Sequence, residues 1–98
     1  MSERKQKRGF VYLALALHSG GLYKIGRTLN LKSRISGLNT GSPLPIRLVH
    51  WVECADYVHV EWNLHEAFCG LQERGEWFRL CDRRAQEVID DMNDQAIR

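Results

Sequence analysis

The first half of this 98-residue chain is almost without acid: residues 1–47 carry nine Lys or Arg and one carboxylate side chain, Glu3. The missing acids lie in the second half, eleven against five basic residues, so a bland net charge of +2 conceals segments of +8 and −6. Such polarity suits a protein that turns one side to a polyanion while another keeps the total low. Also absent is any apolar run near the roughly 20 residues that a membrane span needs, and the basic SERKQKR leads only into FVYLALAL, without a small-residue cleavage site. The chain reads as cytoplasmic, with no membrane partner. Three cysteines, Cys54, Cys69 and Cys81, cannot pair completely within the chain and form no Cys-x-x-Cys, which predicts reduced, mostly buried thiols. Cys54, His59, His65 and Cys69 have the residue types of a zinc site, but at helical spacing His59 and Cys69 point away from His65, which argues against one.

What is present fits one domain with one modest core. Residues 1–8 read as a flexible basic arm and 9–98 as a single domain. Phe10–Leu17 alternates two faces, Ser19-Gly20-Gly21 is a turn signal, and LYKIGRT (Leu22–Thr28) reads as the returning strand of a hairpin. Around a two- or four-residue turn the partners sum to 39, setting Tyr12 opposite Arg27 and placing Tyr12, Tyr23, Ile25 and Arg27 on one face. Asn30 caps a short helix with Leu31, Ile35 and Leu38 as its stripe and Arg34 on the stripe's border, ended by Gly41 and Pro43. Ile46–Cys54 reads as a third strand. Asp56 caps a longer helix that buries Val60, Leu64, Ala67, Phe68 and Leu71, with Glu61 and His65 one turn apart on one flank. Trp62, opposite that stripe, is either a partner contact or a residue covered by the final helix. Glu76–Leu80 is a short strand or extended segment, and Asp82 to about Gln95 a last helix with Ala85, Val88 and Met92 inward.

The ordered set Val11-Tyr12, Tyr23-Lys24-Ile25-Gly26, Arg34 and Glu61 resembles the GIY-YIG nuclease superfamily. The fuller text YKIGRT, LNTGSP, EWNLHEAF and GEWFRL resembles its small branch named for an open reading frame of phage T5. The likeness runs over about residues 10–80. It implies an α/β fold, a three-stranded antiparallel sheet flanked by helices in the order β-β-α-β-α with a short extended segment and a C-terminal helix. The activity it implies is a metal-dependent endonuclease that hydrolyses DNA phosphodiester bonds with a single Mg²⁺ or Mn²⁺.

On that resemblance Glu61 is the metal ligand, an oxygen donor suited to hard cations, and Arg34 clamps charge developing on the phosphate. Lys24, Arg27 and Lys32 are the candidate DNA- and phosphate-contacting cations. Tyr12 and Tyr23 would orient the attacking water, one of them accepting its proton. That role asks a phenol near pKa 10 to fall by about three units, roughly 4 kcal/mol of differential stabilisation. Leu38 stands where many members place a His or Tyr, one turn after the arginine. His65, a turn from Glu61, is the candidate replacement as proton shuttle, against the blander reading of a flank histidine bonded to a backbone carbonyl. Two other classes stay open: a DNA-binding module with a degenerate site, and a protein adaptor using Trp62 and the acidic last helix. Sequence-specific cutting by so small a domain calls for a homo-oligomer or for a fused or partnered specificity domain.

Overall fold

A computed structural model describes residues 6–97; the rest of the expected basic arm, residues 1–5, and Arg98 lie outside the described residues. Of the arm, Lys7 and Arg8 lie against the domain: the Lys7 carbonyl accepts from the Tyr57 amide at 2.9 Å, and Arg8 Nε meets Glu53 at 2.7 Å. Strand β1 (Gly9–Ala16) is apolar on both faces because helices cover both faces of the sheet. It pairs with β2 (Leu22–Thr28) on one side and β3 (Ile46–Cys54) on the other. Two short strands, β4 (Gln72–Arg74) and β5 (Trp77–Arg79), extend the sheet beyond β2, so the antiparallel order is β3-β1-β2-β5-β4. The expected three-stranded sheet is thus one side of a five-stranded one, and the GEWFRL segment supplies much of the difference. No helix among the described residues is long and apolar enough to cross a membrane.

Helix α1 (Leu31–Thr40) crosses one face, over Tyr12, Ala14, Ala16 and Ile46, with Leu31, Ile35 and Leu38 packed against them. Asn30 caps it by accepting from the Ser33 amide at 3.0 Å. No residue of α1 is fully buried, so this face is thinly covered. Helices α2 (Tyr57–Ala67) and α3 (Asp82–Asp94) share the other face with Val11, Leu13, Tyr23 and Ile25. Fully buried Leu64, Val88 and Met92 each contribute about 1.5–3 kcal/mol through the area they remove from water. Of the stripe expected on α2, Val60 and Leu64 are buried and Phe68 and Leu71 pack against the core, but the helix ends sooner: Ala67 is exposed, Phe68 caps the helix, and Cys69–Leu71 form a 3₁₀ turn. All three cysteines are free, but only Cys54 is buried, against the expectation of mostly buried thiols.

The hairpin register differs from the expected one by a single residue. Partners run from Phe10↔Thr28 to Leu15↔Tyr23, with Tyr12 opposite Gly26. Five residues, Leu17–Gly21, separate the strands. His18, Gly20 and Gly21 take positive φ of 64°, 75° and 97°, and the Ser19 hydroxyl bonds the Ala16 carbonyl and the Leu22 amide. Gly21 is fixed from outside as well: its carbonyl accepts from the Leu80 amide at 2.9 Å, and a Cβ there would meet the Leu80 oxygen at 2.5 Å. Because side chains alternate, the one-residue slip sends Tyr23, Ile25 and Arg27 to the α2 and α3 side, and leaves Tyr12 on the α1 side with Lys24.

Candidate active site

Strand β5 pairs with β2 only over Leu22–Lys24, so β2 loses its strand partner on that side just beyond Ile25. Helix α2 takes up the edge: His65 Nε2–H donates to the Ile25 carbonyl at 2.8 Å, and the His65 ring stands edge-on to Phe78 at 5.0 Å. The Asp56 cap, whose carboxylate accepts from the His59 amide at 3.4 Å, sets the start of the helix. Glu61, one turn before His65, is thereby brought alongside Gly26 and Arg27. Its Oε1 lies 3.6 Å from Arg27 Nη1, while the Arg27 guanidinium covers the Tyr57 ring at 5.6 Å.

Tyr12 reaches the same edge from the opposite face. Its ring lies across the strand at Gly26, and a Cβ on that glycine would sit 2.5 Å from the hydroxyl and 2.6 Å from Cζ. The missing side chain of Gly26 is the passage by which a phenol rooted on β1 crosses β2. At the end of the passage two buried polar atoms stand without hydrogen-bond partners, the Tyr12 hydroxyl and Glu61 Oε2. Such orphans are costly and uncommon, and where they point into one site they mark a place shaped for something else.

Charges of both signs ring this point. Lys24 Nζ meets Glu76 at 2.9 Å and the Trp77 ring centroid at 5.4 Å, and its side chain is only 13% exposed. Arg27 and Arg34 line one open hollow of about 350 Å³ with Thr28, Leu29, Asn30 and Tyr57. Burial pushes the Glu61 carboxyl above its ordinary pKa and neighbouring Glu76 adds to the rise, while His65, Arg27 and Lys24 pull the other way. Burial also pushes the Tyr12 phenol up to about 12, helped by Glu76 and Glu61 and opposed by Arg34. Arg34 approaches that hydroxyl closely enough to favour its ionised form in part, without meeting the geometry of a hydrogen bond. The lowered phenol pKa that a base would need is thus absent in the free protein.

Tyr12, Lys24, Arg27, Arg34, Glu61 and His65 therefore gather around one edge. Tyr23 does not: it lies on the other face, in the core with Phe78 and Leu80, and its pocket adjoins the hairpin turn and Cys81. The expected convergence of two phenols is overturned by the register, and position 24 supplies the second side chain on the face of Tyr12. Lys32 is exposed on α1, and Leu38 is half-buried against the α1-side core. His65 adopts the carbonyl-bonded arrangement, with Nε2 engaged to Ile25. Trp62 is not covered by the last helix; it is 60% exposed and stacked on His59 at 6.3 Å. Sequence reasoning passed over Glu76, whose position just before Trp77 in GEWFRL was the available signal.

Among the described residues no three His, Cys, Asp or Glu side chains form a ready metal cage. A single carboxylate with a free, buried oxygen does fit a hard divalent cation that keeps several waters and takes its remaining ligands from a substrate phosphate. The family model that describes the T5orf172 domain matches residues 9–93. No curated protein and no solved structure matches the chain.

Proposed function

Because the chain belongs to the T5orf172 domain family, we propose that the β2 edge is the catalytic edge of a GIY-YIG-type endonuclease that hydrolyses DNA phosphodiester bonds with one Mg²⁺ or Mn²⁺. The single observation that carries this reading is the pair of partnerless buried atoms, Tyr12 Oη and Glu61 Oε2, beside a hollow lined by two guanidinium groups.

Hydrolysis joins a water oxygen to phosphorus as one P–O ester bond breaks, and a proton from that water ends on the departing alkoxide. The chain offers a group for each need. Arg27 and Arg34 hold the phosphate in their hollow, Arg34 through a planar fork that can grip two oxygens. Tyr12, neutral at a pKa of about 12, orients the water by hydrogen bonding rather than by taking its proton as a phenolate. Lys24, fixed by Glu76 and Trp77, keeps positive charge near Glu61. Glu61 would hold the cation, which when bound supplies Lewis-acid stabilisation of charge on the phosphate and the leaving oxygen. His65 is a positioning residue, locking α2 to the strand so that Glu61 stays on the edge. The free thiols Cys54, Cys69 and Cys81 suit action in the reducing cytoplasm.

A DNA-binding module without turnover is the second reading, favoured by the raised Tyr12 pKa and by Leu38 among apolar neighbours. Incubating wild type and Glu61→Ala with single-stranded, duplex and branched DNA, in Mg²⁺, Mn²⁺ or chelator, tests both. The nuclease reading expects metal-dependent product from wild type and none from Glu61→Ala, with DNA affinity largely retained. Salt-sensitive binding with no product in any metal would leave the module instead.

A further inference from the structure

The α1 face of the sheet is covered at one end only. Helix α1 lies over Ala14, Ala16, Ile46 and Leu48, and Asn39 bonds both the amide and the carbonyl of Ile46, pinning the helix to the start of β3. At the other end the sheet carries Phe10 and Trp51. A bulge in β3 between the partners of Leu13 and Ala14 brings Trp51 opposite Tyr12 and so onto this face. Trp51 is 49% exposed and held edge-to-face by Phe10, with ring centroids 5.7 Å apart. An aromatic ring braced by a second ring and left bare is a platform.

Its neighbours say what lies on it. Phe10 pairs with Thr28 on β2 and Glu53 on β3, so the hollow of Arg27 and Arg34 and the Trp51 ring stand on either side of β1. At about 4.8 Å per strand the β2 and β3 backbones lie about 10 Å apart, and Arg34, standing on α1, carries the hollow round to the face that bears Trp51, within the next few nucleotides of one DNA strand. Leu29, 67% exposed, forms the lip of the hollow. Lys32 shares its helix flank with Asn39, two turns or about 10 Å back toward the Trp51 end. Glu53, the acid on this patch, is occupied by Arg8 at 2.7 Å.

We propose that Trp51, braced by Phe10, stacks on an unpaired base of the DNA strand whose phosphate occupies the Arg27–Arg34 hollow, so that the substrate carries single-stranded nucleotides beside the scissile bond. The proposal deepens the nuclease reading and rests on it for the role of the hollow. A base inside an intact duplex has both faces covered, so the ring gains its stacking contact only from a base that has left the stack.

The test is binding in chelator with Glu61→Gln as the non-cleaving background, using a short oligothymidylate and a blunt duplex of the same length. Trp51→Ala is expected to weaken the oligothymidylate by about 5- to 150-fold and the duplex little, while Trp51→Phe keeps most of the affinity. Cross-linking of an oligonucleotide carrying 5-bromodeoxyuridine to the chain with Trp51 intact gives a readout that fold damage in a variant cannot imitate, and adducts on Trp51 or Phe10 are expected. Equal loss on both DNAs, no loss on either, or adducts only on Trp62 or Trp77 would overturn the proposal. So would a concentration-dependent dimer abolished by Trp51→Ala at unchanged DNA affinity, which assigns the face to a second copy of the chain. Failure of wild type to cut DNA under any metal would overturn the nuclease reading alone, because none of these measurements needs turnover.

Discussion

Replacing Gly26 by alanine tests the passage on which the site depends. Gly26 is not among the positive-φ glycines, so its backbone accepts a side chain. In an open strand the change would stabilise the fold by about 0.5–1 kcal/mol, because alanine loses less freedom on folding. Here the new methyl would lie 2.5, 2.6 and 3.0 Å from Oη, Cζ and Cε2 of Tyr12, where ordinary contact begins near 3.4 Å. The ring is fully buried and cannot swing clear. Relieving close to 1 Å of overlap in a packed core costs about 1–3 kcal/mol, which for a domain of this size lowers Tm by about 5–20 °C. Thermal melts followed by circular dichroism therefore expect a destabilisation where propensity alone expects a gain. Tyr12→Leu removes all three crowded atoms, so in a double-mutant cycle Gly26→Ala should cost far less on that background. A displaced hydroxyl also predicts about a hundredfold loss of cleavage. A more stable Gly26→Ala protein, or costs that simply add across the cycle, would refute the claim that Tyr12 reaches the β2 edge through the gap at Gly26.

Four more outcomes follow from the same geometry. Glu61→Gln should abolish metal-dependent cleavage yet raise stability at neutral pH, by roughly 0.5–2 kcal/mol. The Glu61 pKa is raised on folding, so its contribution is present below the unfolded value and is lost as pH rises through the folded one. The gain from Gln should accordingly shrink between pH 7 and pH 4 in paired melts, and a constant difference would contradict it. Tyr12→Phe should remove from an ultraviolet titration a phenol whose pKa is pushed up to about 12; wild type should lose stability relative to this variant as pH rises from about 10 to about 12. Tyr23→Phe should leave cleavage near wild type while Tyr12→Phe lowers it by about tenfold or more, and the reverse ranking would restore the register expected from the sequence. Lys24→Met should lose most of the cleavage with less than about 1 kcal/mol of stability, since Glu76, its partner at 2.9 Å, keeps a side chain 39% exposed and can turn to water.

Elements were legible wherever a local cue set them. Asn30 and Asp56 cap the helices where their side chains predicted, and the alternation in FVYLALA marked a strand covered on both faces. The likeness to the branch named for a phage T5 open reading frame was legible because it lies in the order of short motifs, and the T5orf172 match over residues 9–93 bears that branch out. The hairpin register was not, because it depends on a contact far away in sequence: Gly21 is held by Leu80, nearly sixty residues on. Glu76 was missed for the same reason, since its place beside Lys24 depends on β5 joining the edge of β2. A slip of one residue in register exchanges the faces of a whole strand. It therefore decides whether the second group at this edge is the phenol of Tyr23 or the ammonium of Lys24. A phenol there would add a second weak acid beside Glu61, whereas an ammonium adds positive charge beside two carboxylates. Positive charge beside Glu61 follows from the second arrangement and not from the first, whereas the raised Tyr12 pKa comes from burial first and from Glu76 and Glu61 after it.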